Sequence, residues 1–81
     1  MIVELASIDC TRNRARGYRL TEGLDLFGEP YVKIQWGRVG RHWSETTERF
    51  SDSEGSAARL RALLACRLRR GYVTTRVFAG A

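Results

Sequence analysis

From Tyr31 to Trp36 the side chains alternate: Val32, Ile34 and Trp36 take one set of positions, Tyr31, Lys33 and Gln35 the other. A period of two is that of a sheet with two different faces, so Tyr31–Gln35 is expected to be a strand. Gly37-Arg38-Val39-Gly40 follows as a turn, since a glycine at each end permits backbone angles that other residues resist. His42–Phe50 reads as the returning strand, which makes Tyr31–Phe50 a β-hairpin. Upstream, Ile2–Ile8 is rich in β-forming residues with apolar side chains on both faces. Asp9–Arg14 is turn-like, and in Ala15–Thr21 Tyr18 and Leu20 share a face while Arg19 points away. Gly23–Pro30 is a loop by its Gly, Asp and Pro content. Its Leu24, Leu26 and Phe27 are expected to pack down onto the body of the protein.

The period then changes to that of a helix. Ser51 followed by Glu54 has the spacing of a capping box, in which the hydroxyl takes an orphan backbone N–H and the carboxylate favours the positive end of the dipole. Ala57, Leu60, Leu64 and Leu68 fall on one stripe, with Leu63 at its edge. Gly71 is the expected left-handed C-cap, and Tyr72–Phe78 adds a short last strand. Four or five antiparallel strands with one amphipathic helix packed on them define an α+β, two-layer fold.

Eighty-one residues are read as a single domain over residues 1–81, with a thin stability margin. A 43% hydrophobic and 28% charged composition fits a globular domain better than a disordered tail. No apolar run approaches the roughly 18 residues a membrane span needs, and no membrane partner is expected. The N-terminal segment carries Glu4 inside its apolar stretch and reads as a strand rather than a signal peptide, which makes the cytoplasm the expected compartment. Cys10 and Cys66 do not suggest a disulfide scaffold. With His42 as the only histidine, a zinc site lacks its ligands. His42 also lacks an adjacent nucleophile, an orienting carboxylate or a metal. Neither catalytic residues, nor a cofactor, nor a small-molecule substrate is expected, and the chain is read as non-enzymatic.

Charge points to a partner. The formal net charge is +5, and Lys33 is the only lysine among the fourteen basic residues. Arginine stays charged at any relevant pH, and its planar fork matches phosphate oxygens. The same composition also serves simple solubility. Arg12, Arg14, Arg16 and Arg19 form a stretch free of acidic residues, as does the region from Arg59 to Arg76, whereas carboxylates cluster at Glu22–Glu29 and Glu45–Glu54. That segregation suits a surface that tracks phosphates. Trp36 either completes the core row after Val32 and Ile34 or stays available for stacking. Arg38 either forms a salt bridge to Asp9, Glu45 or Glu48 or, with the amides of its turn, makes an anion-binding concavity. Arg59 and Arg70 lie opposite the apolar stripe and are expected to be bystanders.

Trp36-Gly37-Arg38-Val39-Gly40 at a strand end resembles the signature of the WGR domain family. Asn13 and Tyr18 resemble the family's Asn and Tyr of strand two, Phe50 its Phe before the helix, and Ala57 its small residue in the first turns. Arg67 resembles the basic residue four before the Gly-Tyr that ends the family helix, here Gly71-Tyr72. The chain departs from the family after the turn, where Arg41-His42-Trp43 stands in place of glycine and small polar residues. The resemblance implies nucleic-acid binding, DNA before RNA, with ends or nicks as the expected preference. Trp36 would pack on a terminal sugar or base and Arg38 would contact phosphate or a partner. The expected contact set is Trp36, Gly37, Arg38, Arg41, Arg14, Arg16 and Arg67. The alternative is a protein-interaction module that docks on a partner enzyme.

Overall fold

The structure, a computed structural model, describes residues 1–9, 14–38 and 40–78. Its elements are β1 (Ile2–Asp9), β2 (Arg14–Leu24), β3 (Pro30–Arg38), β4 (Ser44–Arg49), α1 (Ser53–Arg69) and β5 (Val73–Phe78). Among the described residues the five strands form one antiparallel sheet in the order β4-β3-β2-β1-β5, and α1 packs on it, chiefly against β2 and β3. This is the expected α+β arrangement, last strand included. Cys10, Arg12, Asn13 and Val39 lie outside the described residues.

Alternation sorts the side chains of the sheet onto two faces. On the helix side, Val3 and Leu5 of β1, Tyr18 and Leu20 of β2, and Val32 and Ile34 of β3 meet Leu60 in a buried core, with Phe50, Leu63, Leu64 and Tyr72 packed around it. The register places Leu5 beside Tyr18, Leu20 beside Ile34 and Tyr18 beside Trp36.

Three local expectations are revised. The helix is capped by Asp52, not Ser51: the Asp52 carboxylate accepts a hydrogen bond from the Gly55 N–H at 2.7 Å, while Glu54 still sits in the first turn. A carboxylate accepts more strongly than a hydroxyl and also faces the positive end of the dipole. The buried stripe runs through Ser56 and Leu60, then Leu63 and Leu64, which are half-buried, and Leu68 is 46% exposed. The helix thus meets the sheet at its N-terminal half. It ends in a Schellman motif, with Gly71 at φ +91, the Tyr72 N–H on the Arg67 carbonyl at 3.1 Å and the Gly71 N–H on that of Leu68 at 3.2 Å.

The third revision concerns the β2–β3 loop. Leu24, Leu26 and Phe27 do not pack down; all three are exposed. The loop is instead ordered by its polar groups. The Asp25 carboxylate accepts from the N–H groups of Phe27 at 2.8 Å and Glu29 at 3.0 Å and pairs with Arg49. The Gly28 N–H reaches the Asp25 carbonyl and the Asp25 N–H reaches the Glu29 carbonyl, both at 3.0 Å. These bonds turn the backbone so tightly that its apolar side chains point outward.

Behind the sheet, on the face away from α1, Gly17 of β2 lies directly opposite Gly37 of β3. The indole of Trp43 covers the pair. A Cβ at Gly17 would run into its Cη2 and Cζ2 atoms, and one at Gly37 would sit 2.9 Å from its Cδ1. The indole N–H donates to the Arg38 carbonyl at 3.0 Å, and the Arg41 N–H donates to the same carbonyl at 3.0 Å. The β3–β4 turn is therefore pinned from behind. Gly17→Ala is expected to lower stability by about 1–3 kcal/mol through overpacking, read as a lower urea midpoint at unchanged slope. A wild-type midpoint for that variant would mean Trp43 is not seated there.

A pH dependence follows from the loop. The Glu29 N–H above all, then the Phe27 N–H and Arg49, hold the Asp25 carboxyl below its ordinary value of 3.8. A depressed carboxylate contributes its stabilisation in full above the unfolded value and loses it as pH falls through the folded one. NMR titration should show the Asp25 carboxyl protonating below 3.8, with the Phe27 and Glu29 amide resonances moving in the same step. Amide shifts indifferent to that titration would contradict the loop geometry.

Candidate nucleic-acid interface

Beyond the edge of α1's footprint the helix-side face of the sheet stays open. Arg16 stands directly opposite Arg38, Tyr18 opposite Trp36, and Leu20 opposite Ile34; on the far side of β3, Ser44 flanks Trp36, Thr46 flanks Ile34 and Glu48 flanks Val32. Residues two apart on one strand share a face, so Arg38, Trp36 and Ile34 form a row running from the turn toward the core. The helix wall above them carries Arg59, Leu63 and Arg67, and Tyr72 closes the side. The result is a groove of about 590 Å³.

Trp36 occupies this groove 40% exposed. It continues the row of Val32 and Ile34, as the core reading requires, yet it lies past the helix and keeps an open face, as the stacking reading requires. Position in the row alone did not distinguish the two; the extent of the helix does.

Four guanidinium groups line the groove, each held differently. Arg67 lies over the Tyr18 ring, 4.1 Å from its centroid, and 5.6 Å from that of Tyr72, while the two rings meet edge to face at 5.9 Å. Stacking fixes the cation without consuming its donors, which leaves them free for an anion. Arg59 makes a two-pronged pair with Glu48, Nε to Oε1 at 3.0 Å and Nη2 to Oε2 at 3.1 Å. Its hydrogen bonding to Glu48 first, and the charge of Glu48 after it, raise the Arg59 pKa. Arg59 is therefore a wall residue, not the bystander expected from its distance to the apolar stripe. Glu48, one of the partners considered for Arg38, is engaged by Arg59 instead. Arg16 and Arg38 are exposed at the mouth.

Of the expected contact set, Arg16, Trp36, Gly37, Arg38 and Arg67 line the groove together. Gly37 contributes backbone there, and its missing Cβ admits Trp43 on the other face. Arg41 is exposed on the turn and is not part of the groove lining. Arg14 begins β2 opposite Asp9, and its side chain lies outside the described residues. Sequence reading assigns none of the roles seen for Arg59, Glu48 and Trp43. It sets Arg59 aside as a bystander, considers Glu48 as a partner of Arg38, and meets Trp43 only as the departure from the family's small polar residues after the turn.

No group of three or more His, Cys, Asp or Glu side chains suited to a metal ion occurs among the described residues. No helix among them is long and apolar enough to cross a membrane.

No curated protein and no solved structure matches the chain. A family model does, over residues 1–79, nearly its whole length. With its Trp-Gly-Arg segment closing β3 and its Gly-Tyr closing the helix, the chain belongs to the WGR domain family.

Proposed function

We propose that this chain is a non-catalytic nucleic-acid-binding module that takes DNA, with a preference for ends or nicks, in the groove between α1 and the β3–β4 hairpin. The family is known in poly(ADP-ribose) polymerases for nucleic-acid binding, and the order DNA before RNA rests on that kinship. The physical support is one observation. Arg16 and Arg38 face each other directly across β2 and β3, beside an indole left half in solvent. Like charges directly opposite one another on a sheet are destabilising, and a phosphate between them relieves the repulsion while forming charge-assisted hydrogen bonds.

In this reading Trp36 stacks on a terminal sugar or base, Arg38 and Arg16 grip phosphate, and Arg67 adds a third cation from the helix side. Contacts of this kind position the ligand but carry no base sequence. Arg41, exposed on the turn, extends the positive field there.

The second reading, docking on a partner protein, draws on the exposed apolar side chains of the β2–β3 loop. Salt separates the two. Phosphate binding makes log affinity fall linearly with log salt, by about 0.9 per neutralised phosphate. Affinities for blunt, nicked and closed-circular DNA, and for an RNA hairpin, measured at about 150 mM salt, should rank blunt and nicked DNA first. Trp36→Ala should lose roughly 1–3 kcal/mol of stacking, and Arg38→Ala should reduce the salt slope by about one. Folded variants that bind ends as tightly as wild type would place the site elsewhere.

A further inference from the structure

The β2–β3 loop holds the most exposed large apolar side chains among the described residues: Leu26 is 100% exposed and Phe27 89%. They are not at the tip of a slack segment. Asp25 fastens the loop through Phe27, Glu29 and Arg49, so both side chains are presented on an ordered turn. A fixed pair of large apolar groups in water leaves their burial unused, which is the mark of a contact site.

The chemistry beside the tip narrows the partner. Glu29, two residues after Phe27 in the same loop, is exposed, and a carboxylate there disfavours both a phosphate backbone and an anionic bilayer. A tip-to-tip contact between copies would bring two Glu29 carboxylates together. The complementary surface would be an apolar floor with a cationic rim, and the groove has both. Trp36, Tyr18 and Leu63 form its apolar side, Arg16 and Arg38 its mouth. Its volume of about 590 Å³ falls within the roughly 300–1,000 Å³ of pockets that enclose small ligands. The tip cannot reach the groove of its own molecule. None of its residues lines that groove, and Asp25 and Arg49 hold the loop in place. Along β3, Pro30 at the loop is four steps of about 3.3 Å, roughly 13 Å, from Ile34, the groove residue of β3 nearest to it.

We propose that Leu26 and Phe27 of one molecule seat in the Trp36 groove of a second copy, with Glu29 drawn to its arginines. This contact goes beyond the nucleic-acid reading and does not depend on it, since it uses only the shape and charge of the groove. Its two surfaces differ, so each molecule in a pair keeps one free tip and one free groove, and association continues head to tail. The contact is small and partly ionic, hence weak and salt-sensitive. A ligand in the groove and the tip of a neighbour exclude one another.

Sedimentation equilibrium without nucleic acid tests this. The wild-type weight-average mass should rise with concentration and pass that of a dimer. The double variant Leu26→Asp/Phe27→Asp has no tip but an intact groove; Trp36→Ala/Arg38→Ala has the converse. Each alone should associate at least about tenfold more weakly, whereas their mixture should form a one-to-one pair that grows no further. Thermal melts establish folding, and if Trp36→Ala does not fold, Arg38→Glu serves as the groove-deficient partner. A wild type that stays monomeric throughout, a variant that associates like wild type, or a mixture that stays monomeric overturns the proposal. None of these results bears on DNA binding, which the tip variant should retain.

Discussion

A helix is about 10 Å across, and five strands spaced roughly 4.8 Å apart make a sheet about twice as wide. One helix therefore cannot cover one face of this sheet, and where it lies decides what the molecule leaves open. α1 centres on β2 and β3, and its buried contacts, Ser56 and Leu60, come from its N-terminal half. The deepest burial accordingly falls at Leu20 and Val32. Toward the β3–β4 turn the deeply buried helix contacts give out, Leu68 is left in solvent, and a groove opens over Tyr18 and Trp36. Site and core are one row of side chains, divided by the limit of the helix's reach.

That division explains why the groove is both apolar and cationic. Its floor consists of core-type residues at the limit of the helix, while its helix wall is the edge of the core stripe, where Leu63 is flanked by Arg59 and Arg67. Arg67 bridges the two characters, because a guanidinium laid on the Tyr18 ring shields an aromatic surface that would otherwise be wet and remains charged. The Arg59–Glu48 pair works differently. It ties α1 to β4 and pairs off the carboxylate that lines the groove among the described residues, so the positive field concentrates at the mouth, around Arg16 and Arg38.

The elements most legible in sequence are those specified within a few residues. The alternation through Val32, Ile34 and Trp36 shows the strand, Gly71 the helix end, and the motif the family. Features that depend on how elements meet are not legible. Ser51 and Asp52 are both good cap residues one position apart, and only the placement of the first turn selects Asp52. Leu68 has the correct helical spacing, but spacing carries no information about where a helix axis leaves a sheet. Arg59 and Glu48 belong to different elements, and their pairing depends on the docking of α1. Five of the seven expected contact residues converge because the motif and the helix end both border the uncovered part of the sheet. Arg41 does not join them because the turn carries it past the mouth. The hydrophobicity of Leu24, Leu26 and Phe27 points inward, whereas the Asp25 hydrogen bonds govern the direction of their loop.

The three letters of the family's name acquire separate physical roles from strand alternation. Trp36 and Arg38 are two apart and share the helix-side face, so stacking surface and cation are offered together; Gly37 between them faces the other way. There its lack of a Cβ, matched by Gly17 on β2, opens a slot that Trp43 fills, and the Trp43 indole N–H holds the carbonyl of Arg38 from behind. The tryptophan after the turn thus restrains the residue that the tryptophan before it accompanies. A side chain at position 37 would leave the pattern of Trp36 and Arg38 intact and remove the support beneath it. The glycine of the motif is required for what packs behind the strand, and the groove in front depends on that packing.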